Sequence, residues 1–243
     1  MPSVQVYAVD FSGGNLGPSL DTNGWGAMKV GHSGPSNNPT TSAEPQGLAL
    51  AVSANGGSAA IGAYVVLGPD VLSLETRLLM QLEFDRPEGI PPSSPNAGVP
   101  EPWAVALNVK LNNENFVVNE PMVPVTCQFN RQFNGVRLNT PGSQQTDQAA
   151  VLVSPLNYSQ LSPVRFVLEH HFCGKNGAIG HSVGYGTLSV KPPINKADQR
   201  VYSNTKLSGG QQSWIGALGV TLVTLTGSGQ IKVRLRNFGI STW

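Results

Sequence analysis

The stretch Pro163-Val-Arg-Phe-Val-Leu-Glu-His-His-Phe-Cys173 constrains this chain most. Successive residues of a strand point to opposite faces, so a strand is read with a period of two. On that period Phe166, Leu168, His170 and Phe172 fall on one side, and Arg165, Val167, Glu169, His171 and Cys173 fall on the other. One side is fit for a core. The other carries a cation, a carboxylate, an imidazole and a thiol. The stretch reads as a strand with a buried face and a chemically equipped face.

The same rhythm recurs along the chain. Val4, Val6 and Ala8 alternate with Gln5 and Tyr7 in a first strand. Residues 31–46 read as a long polar loop. Leu48 to Val52 and Ala59 to Val66 are short apolar runs on either side of Asn55-Gly-Gly57, which reads as a hairpin signal. From Leu74 to Asp85, Thr76, Leu78, Met80, Leu82 and Phe84 form one face, and Glu75, Arg77, Leu79, Gln81, Glu83 and Asp85 the other. Leu, Met, Glu and Arg all favour helix, yet the strict alternation predicts a strand. Residues 86–102 are a proline-rich loop. Trp103 to Leu111 alternates again, and Asn112 to Asn115 turns it into Phe116 to Val118. Val123 to Phe129, Val136 to Leu138, Ala149 to Val153, Thr187 to Val190 and Leu218 to Thr226 are shorter strands. Gly227-Ser-Gly229 reads as a tight turn into Ile231 to Arg236. Asn237 then breaks phase before Phe238 and Ile240 resume the apolar side, as a bulge produces.

About a dozen strands without an amphipathic helix predict a two-sheet sandwich or a barrel. With 243 residues the chain buries a full core without disulfide staples, and no linker or repeat divides it, so residues 1–243 are read as one domain. Charged residues make up only 12%, against an average of about 25%. A net charge of +1 offers no basic face for nucleic acid. The polar surface must be built from Ser, Thr, Asn, Gln and Gly. No apolar run reaches the length of a membrane span, and the N-terminus shows neither a basic n-region nor an apolar h-region, hence no signal peptide. The compartment stays open. Cys127 and Cys173 read as two buried thiols, with a single disulfide between neighbouring strands as the alternative.

The order of these features resembles the concanavalin A-like lectin/glucanase jelly roll, which includes the laminin-G-like modules. The resemblance rests on Asp10-Phe11, Gly13-Gly14 and Trp25, then on Gly47-Leu-Ala-Leu50 with its hairpin partner, then on Leu74-Glu-Thr-Arg-Leu78. The closing strand Ile231 to Ile240 stands where family members pair their last strand near the first. The resemblance implies an all-β, two-sheet antiparallel jelly-roll sandwich, with a concave face that often handles glycans. It also implies calcium as an occasional ligand, for which the loop from Asp10 to Asp21 is the place to look, although its spacing is not that of an EF-hand.

Glu83-Phe-Asp85-Arg-Pro-Glu88 matches the Glu-x-Asp-x-x-Glu signature of the laminarinase-type glycosidases of this superfold, in which the first Glu attacks the anomeric carbon and the last protonates the leaving oxygen. Here Pro87 removes a ladder donor and places Glu88 at the strand exit, and the motif sits on the family's earlier strand rather than its catalytic one. Glu169, His171 and Cys173 share one face, but neighbours at that spacing stand about 6.5–7 Å apart, too far to hold a single zinc from one straight strand. His170 falls on the apolar side and reads as a core histidine. A polar row of Arg165, Glu169 and His171, beside a second row of Glu75, Arg77, Gln81 and Glu83, would line one groove if both strands share a sheet. Planar polar side chains suit sugar hydroxyls, and Trp214 is the candidate aromatic platform for a sugar ring. Read blandly, these rows are a solvated face and Trp214 is a plug at the end of the sandwich. The expected function is a non-catalytic, lectin-like module binding a glycan or polysaccharide through Arg77, Gln81, Arg165, Glu169, His171 and Trp214. A glycoside hydrolase or lyase, and a structural or assembly protein, are the alternatives. Gly-x-Ser-x-Gly, phosphate-loop, dinucleotide and zinc-knuckle motifs are absent from the sequence.

Overall fold

In the computed structural model, the described residues are 4–18, 24–33, 39–55, 59–68, 70–72, 76–85, 88, 103–111, 124–130, 135–139, 150–151, 165–173, 215–224 and 228–242. They form thirteen strands: β1 (Val4–Asp10), β2 (Lys29–Ser33), β3 (Thr40–Glu44), β4 (Gly47–Asn55), β5 (Ala59–Val66), β6 (Arg77–Asp85), β7 (Trp103–Leu111), β8 (Pro124–Asn130), β9 (Gly135–Asn139), β10 (Ala150–Val151), β11 (Arg165–Cys173), β12 (Ile215–Thr224) and β13 (Ser228–Thr242). A 3-10 turn at Ser12–Gly14 is the one helical element among the described residues. No helix there is long and apolar enough to cross a membrane.

The strands make two antiparallel sheets. A six-stranded sheet runs β11-β6-β13-β4-β3, with β1 also paired to β13. A seven-stranded sheet runs β10-β9-β8-β7-β12-β5-β2. The architecture is the two-sheet antiparallel jelly-roll sandwich that the resemblance implies, where the alternation alone allows a sandwich or a barrel. The first and last strands pair from Val4 opposite Thr242 to Asp10 opposite Asn237.

Alternation explains why the sheets stack. On β6, Leu78, Met80, Leu82 and Phe84 are all fully buried, and each contributes on the order of 1.5–3 kcal/mol by leaving water. On β13, Ile231, Val233, Leu235, Phe238 and Ile240 face the same core. Val105, Leu107 and Val109 of β7 and Leu218, Val220 and Leu222 of β12 meet them from the other sheet. The expected bulge is present: Leu235 pairs with Phe84 and Asn237 with Glu83, which leaves Arg236 as the extra residue. One unpaired residue returns Phe238 and Ile240 to the core side.

Four expectations need correction. Residues 31–46 are not a single loop, because β2 and β3 occupy both ends. Thr40 to Ala43 are exposed throughout, since β3 is an edge strand with no face on the core and so no alternation to display. Asn55-Gly-Gly57 does not close a hairpin: β4 pairs with β3 and β13, whereas β5 pairs with β2 and β12, so the chain crosses between sheets there. A glycine-rich turn sets a reversal, not which sheet the next strand joins. The strand-linking turn is instead Pro45-Gln46, between Glu44 and its partner Gly47. At Gly227-Ser-Gly229, Ser228 and Gly229 already belong to β13. In β1, the buried residues are Tyr7 and Val9 rather than the Val4, Val6, Ala8 set, because the register shifts between Gln5 and Tyr7.

The cysteines do not lie on neighbouring strands of one sheet. Cys127 on β8 is opposite the buried Leu107, and Cys173 on β11 is opposite the exposed Arg77. The predicted strands at Phe116 to Val118 and Thr187 to Val190 lie outside the described residues.

Candidate functional site

The outer face of the six-stranded sheet gathers most of the charge of the described residues. It has two parts, both built on β6. At one part β6 meets β11. The register sets Arg165 opposite Asp85, Glu169 opposite Gln81, His171 opposite Leu79 and Cys173 opposite Arg77. Directly opposed residues of an antiparallel pair share a face. The two polar rows read from sequence are therefore neighbours on one face, the one turned away from Leu78, Met80, Leu82 and Phe84. Arg77 and Gln81 are exposed there. Trp214 lies outside the described residues.

At the other part β6 meets β13, and a network of ion pairs crosses the sheet. Arg234 donates from Nη1 to Asp85 Oδ2 at 2.8 Å. Arg236 donates from Nε to Asp85 Oδ1 at 2.8 Å and from Nη2 to Asp85 Oδ2 at 2.6 Å. The bulge explains the convergence. By alternation Arg234 and Arg236 both face outward, and the extra residue holds them there while Asn237 turns outward opposite Glu83 and Phe238 returns to the core. Burial works against ionisation of Asp85, but hydrogen bonds from Arg236 and Arg234 outweigh it, and its carboxyl sits below the usual range. Arg234 also reaches Glu44 on the edge strand β3, where Lys232 joins it. The hydrogen bond from Lys232, with help from Arg234, holds the Glu44 carboxyl below its ordinary value against partial burial. The bond to Asp85, then that to Glu44, raises Arg234. Arg236 Nη1 further donates to the carbonyl oxygen of Gln46 at 2.6 Å, tying β13 to the β3–β4 turn.

Small residues make this reach feasible. Between β13 and β3 lies β4, whose outward positions are Gly47, Ala49 and Ala51, all buried. A Cβ at Gly47 would run into the carbonyl oxygen of Leu235 and stand 2.9 Å from Arg234 Cγ. Glycine there lets the arginine stem pass over β4.

The glycosidase-like motif falls into this network. Both oxygens of Asp85 are taken by guanidinium groups. Glu83 accepts a hydrogen bond from Asn237 Nδ2 at 2.7 Å, and Glu88 exchanges backbone hydrogen bonds with Lys232. Pro87 does not stop Glu88 from bridging to β13. A carboxylate clamped by two arginines holds its charge and strands together; it is poorly placed to deliver a proton.

Sequence reasoning missed Glu44, Gln46, Lys232, Arg234 and Arg236. The signal was present: three cations alternate on one strand with no anion among them, so the partners had to come from elsewhere. Reading 31–46 as loop concealed Glu44. The calcium expectation rests on Asp10, whose Oδ1 accepts from the Ser12 amide at 2.9 Å and the Ser12 hydroxyl at 2.6 Å; Asp21 lies outside the described residues. Among the described residues, no cluster of three metal-ligating side chains occurs.

No family model and no curated protein sequence matches the chain. Solved structures do. The binding domain of botulinum neurotoxin DC, in complex with rat synaptotagmin II, matches with a TM-score of 0.50 at 10% identity, over 97% of this chain and 47% of that one. This chain thus spans about half the length of that domain. The carbohydrate recognition domain of Emp47p matches with a TM-score of 0.49 at 11% identity, over 97% and 95% of the two chains. Basic winged bean lectin with Tn-antigen matches with a TM-score of 0.48 at 9% identity, over 99% of each. At such identities likeness speaks for fold alone. The fold is a two-sheet antiparallel jelly-roll sandwich.

Proposed function

We propose that this chain is a non-catalytic, carbohydrate-binding jelly-roll module that takes an oligosaccharide along the outer face shared by β6 and β11. The observation that carries the reading is the register of those two strands. It brings Arg77 and Gln81 onto one face with Arg165, Glu169 and His171, and sets Gln81 directly opposite Glu169. An extended row of planar amide, carboxylate, guanidinium and imidazole groups matches what sugar hydroxyls require: directional donors and acceptors on a fixed plane. In this reading Trp214 supplies the aromatic platform, and calcium would order the Asp10 loop.

Two features support placing the site there rather than at the ion-pair network. Asp85, Arg234 and Arg236 are occupied with one another, whereas Arg77 is exposed. Among the described residues the exposed large hydrophobics are Val4 and Val30 alone, too little for the flat apolar patch that an assembly protein would present.

The test is a glycan array with the purified chain, run with and without a calcium chelator and paired with a reducing-sugar assay. Binding without release of reducing ends, lost in Gln81→Ala, is the expected result. Binding that survives Gln81→Ala unchanged moves the site elsewhere. Release of reducing ends by the wild type overturns the non-catalytic reading.

A further inference from the structure

Strand β3 lacks the core residues that anchor β1, β4, β6 and β13 of its sheet. Thr40 to Ala43 are exposed, and no β3 residue belongs to the hydrophobic core. Its backbone pairs only with β4, from Thr40 opposite Ala51 to Glu44 opposite Gly47. The side-chain attachment is Glu44, whose carboxylate receives Lys232 and Arg234 from two strands away.

We propose that Glu44 is an acid-sensitive latch, and that its release lets β3 open from β4 as a local unit while the sandwich stays folded. A strand without core burial is held by its ladder hydrogen bonds, this latch, the Arg236 bond to Gln46 in the turn that follows and the close approach of Gly14 to Ala43, and such elements open at a free energy well below global unfolding. The charged groups facing Glu44 all come from β13: Lys232 and Arg234. Asp85 on β6 shares Arg234. The neighbouring β4 positions Gly47, Ala49 and Ala51 carry no titratable group, nor does the adjacent turn Ser12–Gly14, and Asp10 before that turn is engaged with Ser12.

The sign follows from the partners. Because the folded Glu44 carboxyl lies below its ordinary value, the latch is fully closed above the unfolded carboxylate pKa and is lost as pH falls through the folded value. Acid therefore opens β3, and neutral pH closes it. Opening bares the backbone edge of β4, an unpaired edge ready to accept another strand.

Amide hydrogen exchange by NMR tests this on the intact chain, using protection factors so that the intrinsic pH dependence of exchange cancels. At about pH 6, Glu44→Gln should lower protection across residues 40–44 by about tenfold and leave β6 and β13 amides at wild-type values. As pH falls below the unfolded carboxylate value, wild-type protection of β3 should decline toward that of the variant. Glu83→Gln, which removes a carboxylate from the same face but not from β3, should leave residues 40–44 unchanged. Wild-type protection of β3 in Glu44→Gln overturns the latch. So does loss of protection in β3, β6 and β13 together, because that is global unfolding.

Discussion

The outer faces of the two sheets are covered in opposite ways. On the seven-stranded sheet, the outward positions of the central strands are small: Ala106 on β7, Ala217 and Gly219 on β12, Ala60 and Gly62 on β5, all buried. Its buried polar pair is neutral, with Asn108 Nδ2 donating to Thr221 Oγ1 at 2.9 Å. On the six-stranded sheet, the small outward residues of β4, Gly47, Ala49 and Ala51, serve as a floor over which long charged side chains lie. The lesson is that small outward residues have two meanings. On β4 they give passage to charge. On β5 and β12 they give passage to backbone and to Tyr64. Sterics should therefore dominate one face and electrostatics the other.

The largest expected effect breaks the steric face. A Cβ at Gly219 would stand 2.5 Å from the carbonyl oxygen of Ala63 and 2.6 Å from Tyr64 Cβ. Backbone cannot give way as a flexible side-chain tip can, so Gly219→Ala should cost about 1–3 kcal/mol. Urea unfolding should show this loss equally at low and high salt. A strong salt dependence would mean that the two faces do not differ as described.

The next effect sharpens the electrostatic face. Asp85→Asn keeps the shape but removes the charge facing two guanidinium groups, and should cost about 1–2 kcal/mol, discounted for partial exposure. The pH dependence follows the same logic. Asp85 is held below its ordinary pKa by Arg236 and Arg234 against burial, so its contribution is present above the unfolded value of about 4 and is lost as pH falls below it. Thermal unfolding of wild type and variant should converge in acid. Parallel curves across the whole range would remove Asp85 as the keystone of the network.

These contrasts show what the sequence discloses. Alternation alone places Leu78, Met80, Leu82 and Phe84 inside, because a period of two leaves no other face for them, and the phase break at Asn237 announces the bulge. The pairing of β6 with β11 was legible only as a condition, since the period fixes which residues share a face of one strand and not which strand lies beside it. Edge strand β3 was illegible for a related reason: a strand with no buried side has no hydrophobic rhythm. The Glu44–Arg234 contact joins residues far apart in the chain, across a third strand, and sequence spacing carries no trace of it. Gly47 counted in the sequence only as part of the Gly47-Leu-Ala-Leu50 pattern, and its steric need appears only when Arg234 crosses above it.

The smallest expected effect on stability separates the two parts of the six-stranded face from each other. Arg77 begins β6, is exposed, and takes no part in the ion-pair network that engages Arg234 and Arg236 on the neighbouring strand. If the β6–β11 part is a surface kept for a ligand rather than for the fold, Arg77→Ala should change unfolding free energy by no more than about 0.5 kcal/mol. The same substitution should weaken whatever glycan the array identifies, because a guanidinium on a rigid strand offers paired donors that alanine lacks. The two measurements read together decide the matter. A stability loss like that of Asp85→Asn, with binding intact, would make Arg77 part of the framework, and both parts of this face would then serve the same structural purpose.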